Sequence, residues 1–474
     1  MFRVSEYTGP ESIIAGLEAY LRVKNLSQNH HFKYLKDYFQ TVTIKTIVFE
    51  HEYFDKDYLE DYSRYYSRCF QPYDKKCIRV HFFSHAFKEE DFVAIITDPT
   101  QKGIEDLQKN YAGFVVFRPI PHTIFGRTCL KTFPRQEKTK PEKNRQIPIV
   151  REYKVHLFGI ELSVHSLAYQ EQDNAVSACA TSALWSAFQS TGISFHHSIP
   201  SPYEITLSAK ELISSAISTN SSGNRGLDSK QMAYAVKAIG LDPLLLSPTH
   251  KDYLKAQIYA YLRGKIPVIM GLELSGTTEQ PIENKQYSYN NNIGKHAITV
   301  TGYNLNNTLP DRCYTTPEID DNKFPELYLR ALKIDKFYVH DDQIGPFARI
   351  KFYDDASPEK RFYYLKTFFV EVGHKINNFT SIDAAPTVLL LPVNHKIRID
   401  FHEIFSIVKT FNNVLTRPFR NITLEEYKDS IVVWDIHLSN VCDLKQYFST
   451  CPDLSKENKK KLLTKSFPRY IWVV

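Results

Sequence analysis

Three residue types that together carry out acyl chemistry are spread over the middle of this chain: a thiol, an imidazole and a carboxylate. The thiol is Cys179, within QEQDNAVSACATSALWSAFQ, residues 170–189. Ala180, Ala183, Leu184, Ala187 and Phe188 recur at helical spacing, so a helix begins just before the cysteine, with Ser177 as N-cap and Asp173 and Asn174 in the incoming loop. A first-turn position faces unpaired amide groups and the positive end of the helix dipole, which favours the thiolate, the nucleophilic form of sulfur. The competing reading is a small cysteine packed in an alanine-rich core helix.

A nucleophilic thiol needs a base, and the base needs an orienting group. GKHAITVTGYN, 294–304, sets His296 at the start of a β-branched strand with Ile298 and Val300 on the same face. KFYVHDDQIGPFARI, 336–350, ends a second strand at Asp341 and Asp342 before a Gly-Pro turn. One of these carboxylates would accept the imidazole's second N–H; the pattern leaves open which, and Asp341, the first after the strand, is preferred. His340 beside two aspartates is a weaker hint of a metal site, because neighbouring strand residues point to opposite faces. No metal and no cofactor is expected.

A chain of 474 residues is too long for one ordinary core and reads as three segments. Residues 1–145 form an N-terminal α+β module, with a helix at HFKYLKDYF and strands at IRVHFFSH, DFVAIITD and AGFVVFRP. Its Arg118 and Arg127, near strand ends, read as surface residues that could meet an anion. KTFPRQEKTKPEKNRQIP, 131–148, reads as a solvated connector. Residues 146–378 carry the three chemical residues, the strand-like REYKVHLFGIELSV, and a helix, KDYLKAQIYAYLR, that stops at Gly264 before a strand. The polar stretches AISTNSSGNRG and NKQYSYNNNIGK read as surface loops. Residues 379–474, from DAAPTVLLLPV to RYIWVV, form an α/β extension.

A cysteine at a helix start, a His-Ala-hydrophobic strand ending in Gly-Tyr, and a strand ending in Asp together resemble the papain-like cysteine peptidases. The likeness is greatest to the bacterial branch that includes the double-glycine peptidase domains of bacteriocin exporters. GNRGLDSKQMAYAVKAIGLDPLLL followed by LRGKIPVIMGLEL is similar to that branch's order of helix, short strand, helix and Pro-Val strand. The resemblance covers residues 160–350 and implies an α+β papain-like core with a cleft between the nucleophile helix and the sheet bearing the histidine. It implies Cys179 as nucleophile, His296 as general base and acid, and Asp341 or Asp342 as orienting carboxylate. It also implies a glutamine in the oxyanion hole, Gln172 first and Gln170 second, although these stand seven and nine residues before the cysteine rather than six. NNTLPDRCYTTPEIDDNKFPELYLRAL, 306–332, is an insertion relative to that family.

The composition bounds the remaining choices. A net charge of +6 is too small for a dedicated nucleic-acid binder, and no apolar run approaches the ~20 residues that span a bilayer, so neither nucleic acid nor membrane is an expected partner. The opening residues lack a secretory pattern, and the seven cysteines form no CxxC pair, which points to the cytoplasm and to mostly buried, reduced thiols. No phosphate-binding GxxxxGK[ST] loop accompanies the core. The leading expectation is a peptidase acting on a peptide or protein substrate. The alternatives are an acyl or peptidyl transferase, as in the phytochelatin synthases that the same residue order resembles, and a catalytically silent peptide-binding module.

Overall fold

The computed structural model describes residues 2–21, 23, 26–121, 123–137, 140–172, 179–211, 227–249, 251–282, 285–306, 327–352, 365–366, 381–416 and 432–474. Ser177, Asp173, Asn174, Cys313, the loop at 216–226 and residues 307–326 of the 306–332 insertion lie outside them. The chain is a mixed α+β protein built on antiparallel sheets.

The first sheet takes its strands in chain order: β1 (Phe2–Glu6), β2 (Thr46–Tyr53), β3 (Cys77–Phe83), β4 (Tyr111–Phe117) and β5 (Phe125–Leu130), each antiparallel to the next. Helices α1 (Pro10–Leu21) and α2 (His30–Val42) join β1 to β2, α3 (Lys56–Arg64) follows β2, and α4 (Glu89–Thr97) and α5 (Gln101–Asn110) join β3 to β4. Asn29 caps α2, its side chain accepting the His31 amide hydrogen. DFVAIITD, read as a strand, is instead the body of α4. Glu89, Glu90 and Asp91 fill the first turn, and Asp91 accepts the Lys88 N–H at 2.9 Å, so end chemistry outweighs the β-branched propensity. Arg118 and Arg127 are not surface anion sites either. Arg118 is 3% exposed and donates to the Thr123 carbonyl, and Arg127 pairs with Asp57 at 2.7 Å.

Two short strands, β6 (Gln136–Glu137) and β7 (Lys140–Gln146), occupy the stretch expected to be a solvated connector. The hairpin β8 (Arg151–Leu157) and β9 (Ile160–Ser166) leads to α6 (Cys179–Phe195), α7 (Pro202–Glu211) and α8 (Ser229–Ala238). Next come β10 (Asp242–Leu246), α9 (Lys251–Arg263), β11 (Val268–Ile282), β12 (Lys285–Asn306), β13 (Tyr328–Leu329), β14 (Ile334–Asp341), β15 (Gly345–Phe352), β16 (Leu365–Lys366) and β17 (Ser381–Val393). These build a second sheet in the order β10-β17-β16-β15-β14-β12-β7-β6, while β11 pairs with both β12 and β17 and so closes the sheet on itself. KQYSYNNNIGK, the described part of a stretch read as a loop, is strand here: β12 runs through it opposite β11, with a bulge where Leu274 gives way to Ser275 and Gly294 takes a positive φ of 143°. The chain ends in α10 (Phe401–Thr416), β18 (Val433–Trp434), β19 (His437–Asn440), α11 (Val441–Thr450), α12 (Lys456–Thr464) and β20 (Tyr470–Val473), which pairs with β19.

The segment limits read from the sequence do not coincide with separate cores. One hydrophobic cluster joins Phe39, Phe82 and Phe117 to Tyr303, Val339 and Leu389; another joins Val48 and Phe114 to Leu184, Trp185 and Ile269. Residue 145 lies inside β7, where buried Arg145 donates to the Tyr338 hydroxyl at 2.7 Å. The apolar run of β17 is buried within the second sheet, with Leu389, Leu390 and Leu391 fully inaccessible. Of the six cysteines described, only Cys77 and Cys129 are buried, contrary to the expected majority, and all six are free thiols. Among the described residues no helix is long and apolar enough to cross a membrane.

Gly302 on β12 is where β7 comes closest, since a Cβ there would lie 2.4 Å from the Gln146 carbonyl oxygen. Gly302→Ala is expected to prise the two strands apart and cost about 1–3 kcal/mol in denaturant unfolding. A solvated connector would leave stability unchanged.

Candidate active site

Cys179 is the first residue of α6 and is partly exposed, while every residue from Ala180 to Gly192 is buried. The sequence marks one apolar stripe, but the helix is enclosed all round and runs through the protein. Small side chains make this possible. Ser186 donates to the Ala168 carbonyl at 2.9 Å, and Thr299 of β12 donates to the Ala183 carbonyl at 2.7 Å. That second bond fixes the height of the helix against the strand that carries His296.

His296 lies well inside β12 rather than at its start, paired with Leu272 of β11. On its other side β12 runs antiparallel to β14, with Thr299 opposite His340 and Val300 opposite Val339. Continued by one step, that register puts Asp341 opposite Ile298, two residues from His296 and on the same face of the sheet. The result is a hydrogen bond from His296 Nε2 to Asp341 Oδ1 at 2.9 Å, with Asp342 Oδ1 farther away at 3.6 Å. Asp341 Oδ1 also accepts the Gln343 N–H at 3.0 Å, so one oxygen is held by its own turn and by the ring.

Thiol, imidazole and carboxylate therefore meet, from three distant parts of the chain. The Cys179 side chain lies near enough to the His296 ring to help raise its pKa. With Nε2 committed to Asp341, the buried Nδ1 has no hydrogen-bond partner among the described residues and is the atom left for the sulfur. Burial opposes charge on this ring. The Asp341 carboxylate, its hydrogen bond, the thiol and Asp342 outweigh burial and hold His296 protonated well above the usual histidine range. Asp342 is the converse case: burial, despite the attraction of His296, pushes its carboxyl up to about 7, and neither side-chain oxygen has a hydrogen-bond partner among the described residues.

The same three side chains, His296, Asp341 and Asp342, offer ligand atoms within 4.8 Å of one another, the spacing a metal ion would need. An ion there would have to displace the bond between imidazole and carboxylate. His340 is not part of that group, since its ring packs between Tyr169 and Phe347 and burial pushes its pKa down to about 3.

The glutamines precede the helix on a segment tied to β5. Tyr169 and Thr128 exchange backbone hydrogen bonds, and the Glu171 N–H donates to the Phe125 carbonyl at 2.9 Å. Gln170 is buried and Gln172 half-buried. Between them stands Glu171, a group the sequence reading passed over. Its carboxyl accepts the Phe125 N–H at 3.0 Å and meets His31 Nδ1 at 3.3 Å. Burial pushes Glu171 up to about 8 and His31 down to about 3, so at neutral pH the pair is uncharged. His31 Nε2 points at the Asp342 carbonyl, 3.1 Å away, which can only accept, so Nε2 carries a hydrogen; Nδ1 stands 3.1 Å from the Asn29 side-chain oxygen and 3.3 Å from Glu171.

No known family model matches the chain, and no curated protein matches it.

Two outcomes follow from these charges. Removing the carboxylate in Asp341→Ala leaves a buried imidazolium with less compensation and is expected to cost about 3 kcal/mol in denaturant unfolding near pH 6. Because the folded-state pKa of His296 is raised, its contribution is fully present below about 6.5 and fades as pH rises through the folded value; the cost should therefore shrink at alkaline pH. A cost that does not vary with pH contradicts this charge state. Glu171, raised from 4.5 to about 8, favours the folded state most below pH 4.5 and loses that contribution as pH rises through 8. Melting curves of Glu171→Gln should gain on the natural protein by a few degrees between those limits, whereas a constant difference would mean that Glu171 is already ionised in the fold.

Proposed function

We propose that the protein is a cysteine peptidase of papain-like architecture that cleaves a peptide or isopeptide-type amide. The observation that carries this reading is the buried imidazole of His296, held by Asp341 and lying beside Cys179, the first residue of a buried helix. Proximity of a sulfur nucleophile, a proton carrier and its orienting carboxylate is the arrangement acyl transfer through a thioester requires.

In the proposed cycle the sulfur of Cys179 attacks the substrate carbonyl carbon, and the π pair of that carbonyl moves to its oxygen. The helix-start amide and the Gln172 side chain stabilise the oxyanion; buried Gln170 is the weaker candidate for that role. The oxyanion then collapses, the C–N bond breaks, and the departing amine takes its proton from His296. Water, losing a proton to the same ring, attacks the thioester. The C–S bond breaks and the sulfur is restored. Asp341 stays ionised throughout, holding ring orientation and compensating its charge.

Turnover of a pooled peptide library, read by mass spectrometry, tests the proposal. The natural protein is expected to cleave members of the library, and Cys179→Ala to lose at least about a thousandfold of that rate while keeping its melting temperature. Equal rates in the two proteins would refute it. Adducts to added amines in place of hydrolysis products would assign the same site to a transferase.

A further inference from the structure

The turn that carries Asp341 is gripped from outside its own sheet. Along one face of α2, in the N-terminal domain, His30 Nε2 bonds the Gln343 carbonyl and His31 Nε2 donates to the Asp342 carbonyl at 3.1 Å. One turn on, the Tyr34 hydroxyl donates to the Pro346 carbonyl at 2.5 Å. The Tyr34 ring also lies against Gly345, whose φ is +153°; a Cβ at that position would stand 2.3 Å from the ring. Only glycine permits the helix to approach the turn so closely.

The approach to Cys179 is tied to the same place. Glu171 faces His31 and the β5 backbone, and Tyr169, two residues earlier, donates its hydroxyl to the Asp342 carbonyl at 3.0 Å. His31 thus touches both the carboxylate turn and the segment bearing the candidate oxyanion glutamines. These groups are buried, and they join positions more than 300 residues apart in the chain.

We propose that the N-terminal domain is a clamp for the active site, in which His31, with Tyr34 and Glu171, is a positioning residue that aligns the Asp341 turn with the segment leading to Cys179. The proposal rests on the peptidase reading for what is aligned, but the alignment has a readout of its own. Seating of α2 governs how well Asp341 orients His296, and through that ring the reactivity of the sulfur. A ligand or partner that displaced α2 would switch the site off without entering the cleft.

The test uses the full chain and iodoacetamide, with peptide mass spectrometry following alkylation of Cys179 and, as internal reference, exposed Cys442 between pH 5 and 9. In the natural protein Cys179 should react faster than Cys442 at pH 6; if it does not, the catalytic reading fails first. Given that advantage, His31→Ala should remove about tenfold or more of it, the equivalent of at least one pKa unit, and move the pH profile toward that of Cys442. Glu171→Gln, which keeps a polar group beside His31 and can still accept from Phe125, should stay within about twofold of the natural rate, whereas Glu171→Ala should not. Tyr34→Phe, the removal of one hydroxyl, serves if His31→Ala does not fold, with the same direction expected. Folded His31→Ala and Tyr34→Phe proteins that both keep the natural profile for Cys179 would overturn the clamp while leaving the catalytic reading intact.

Discussion

A charged imidazole in a dry place is the costly object in this fold, and the surrounding structure is arranged around it. Burial alone would strip the proton from His296, yet Asp341 at 2.9 Å and the Cys179 side chain keep it. The low-dielectric surroundings that make the ring expensive also make its two contacts strong. Asp342 shows how close the balance lies. It sits less than an ångström farther from the ring than Asp341, and burial pushes its carboxyl up to about 7. Two full negative charges at one imidazole would overcompensate it, and the second carboxyl is the one whose charge is suppressed.

Holding that arrangement takes elements from all three regions of the chain. The sheet provides register between β12 and β14, and the Thr299 hydroxyl sets the position of α6 against it. The C-terminal region contributes β17, which closes the sheet behind β11. The N-terminal domain contributes α2 and β5, which hold the turn after Asp341 and the stretch before Cys179. The turn is pinned by side chains that reach its backbone carbonyls, and residues 169–171 by backbone bonds to β5 as well. This division explains why the hydrophobic clusters ignore the segment limits: a clamp must be packed against what it clamps.

The elements that bear Cys179, His296 and Asp341 were legible in the sequence because they are regular. Alanine and leucine spacing marks the helix of Cys179, alternation marks the strand of His296, and the strand of Asp341 ends in a visible turn. The failures have physical reasons. Segment 91–98 carries a strand's residue types but a helix's first turn, and the first turn decides it. Segment 285–295 is polar enough to read as a loop, yet it extends a long ribbon paired with β11. The connector at 131–148 gains its strands by pairing β6 with β7 and β7 with β12, more than 150 residues away. His31 and Glu171 leave no periodic trace at all. One lies in a correctly read helix and the other between the two glutamines, and their roles exist only through tertiary contact.

The nitrogen-15 NMR signals of the His296 ring at neutral pH, assigned by comparison with a His296→Gln variant, test the central claim most directly. If the buried ring is held charged between thiol and carboxylate, both nitrogens will give the shifts of protonated sites. One protonated and one bare nitrogen, the pattern of a neutral ring, would contradict the account.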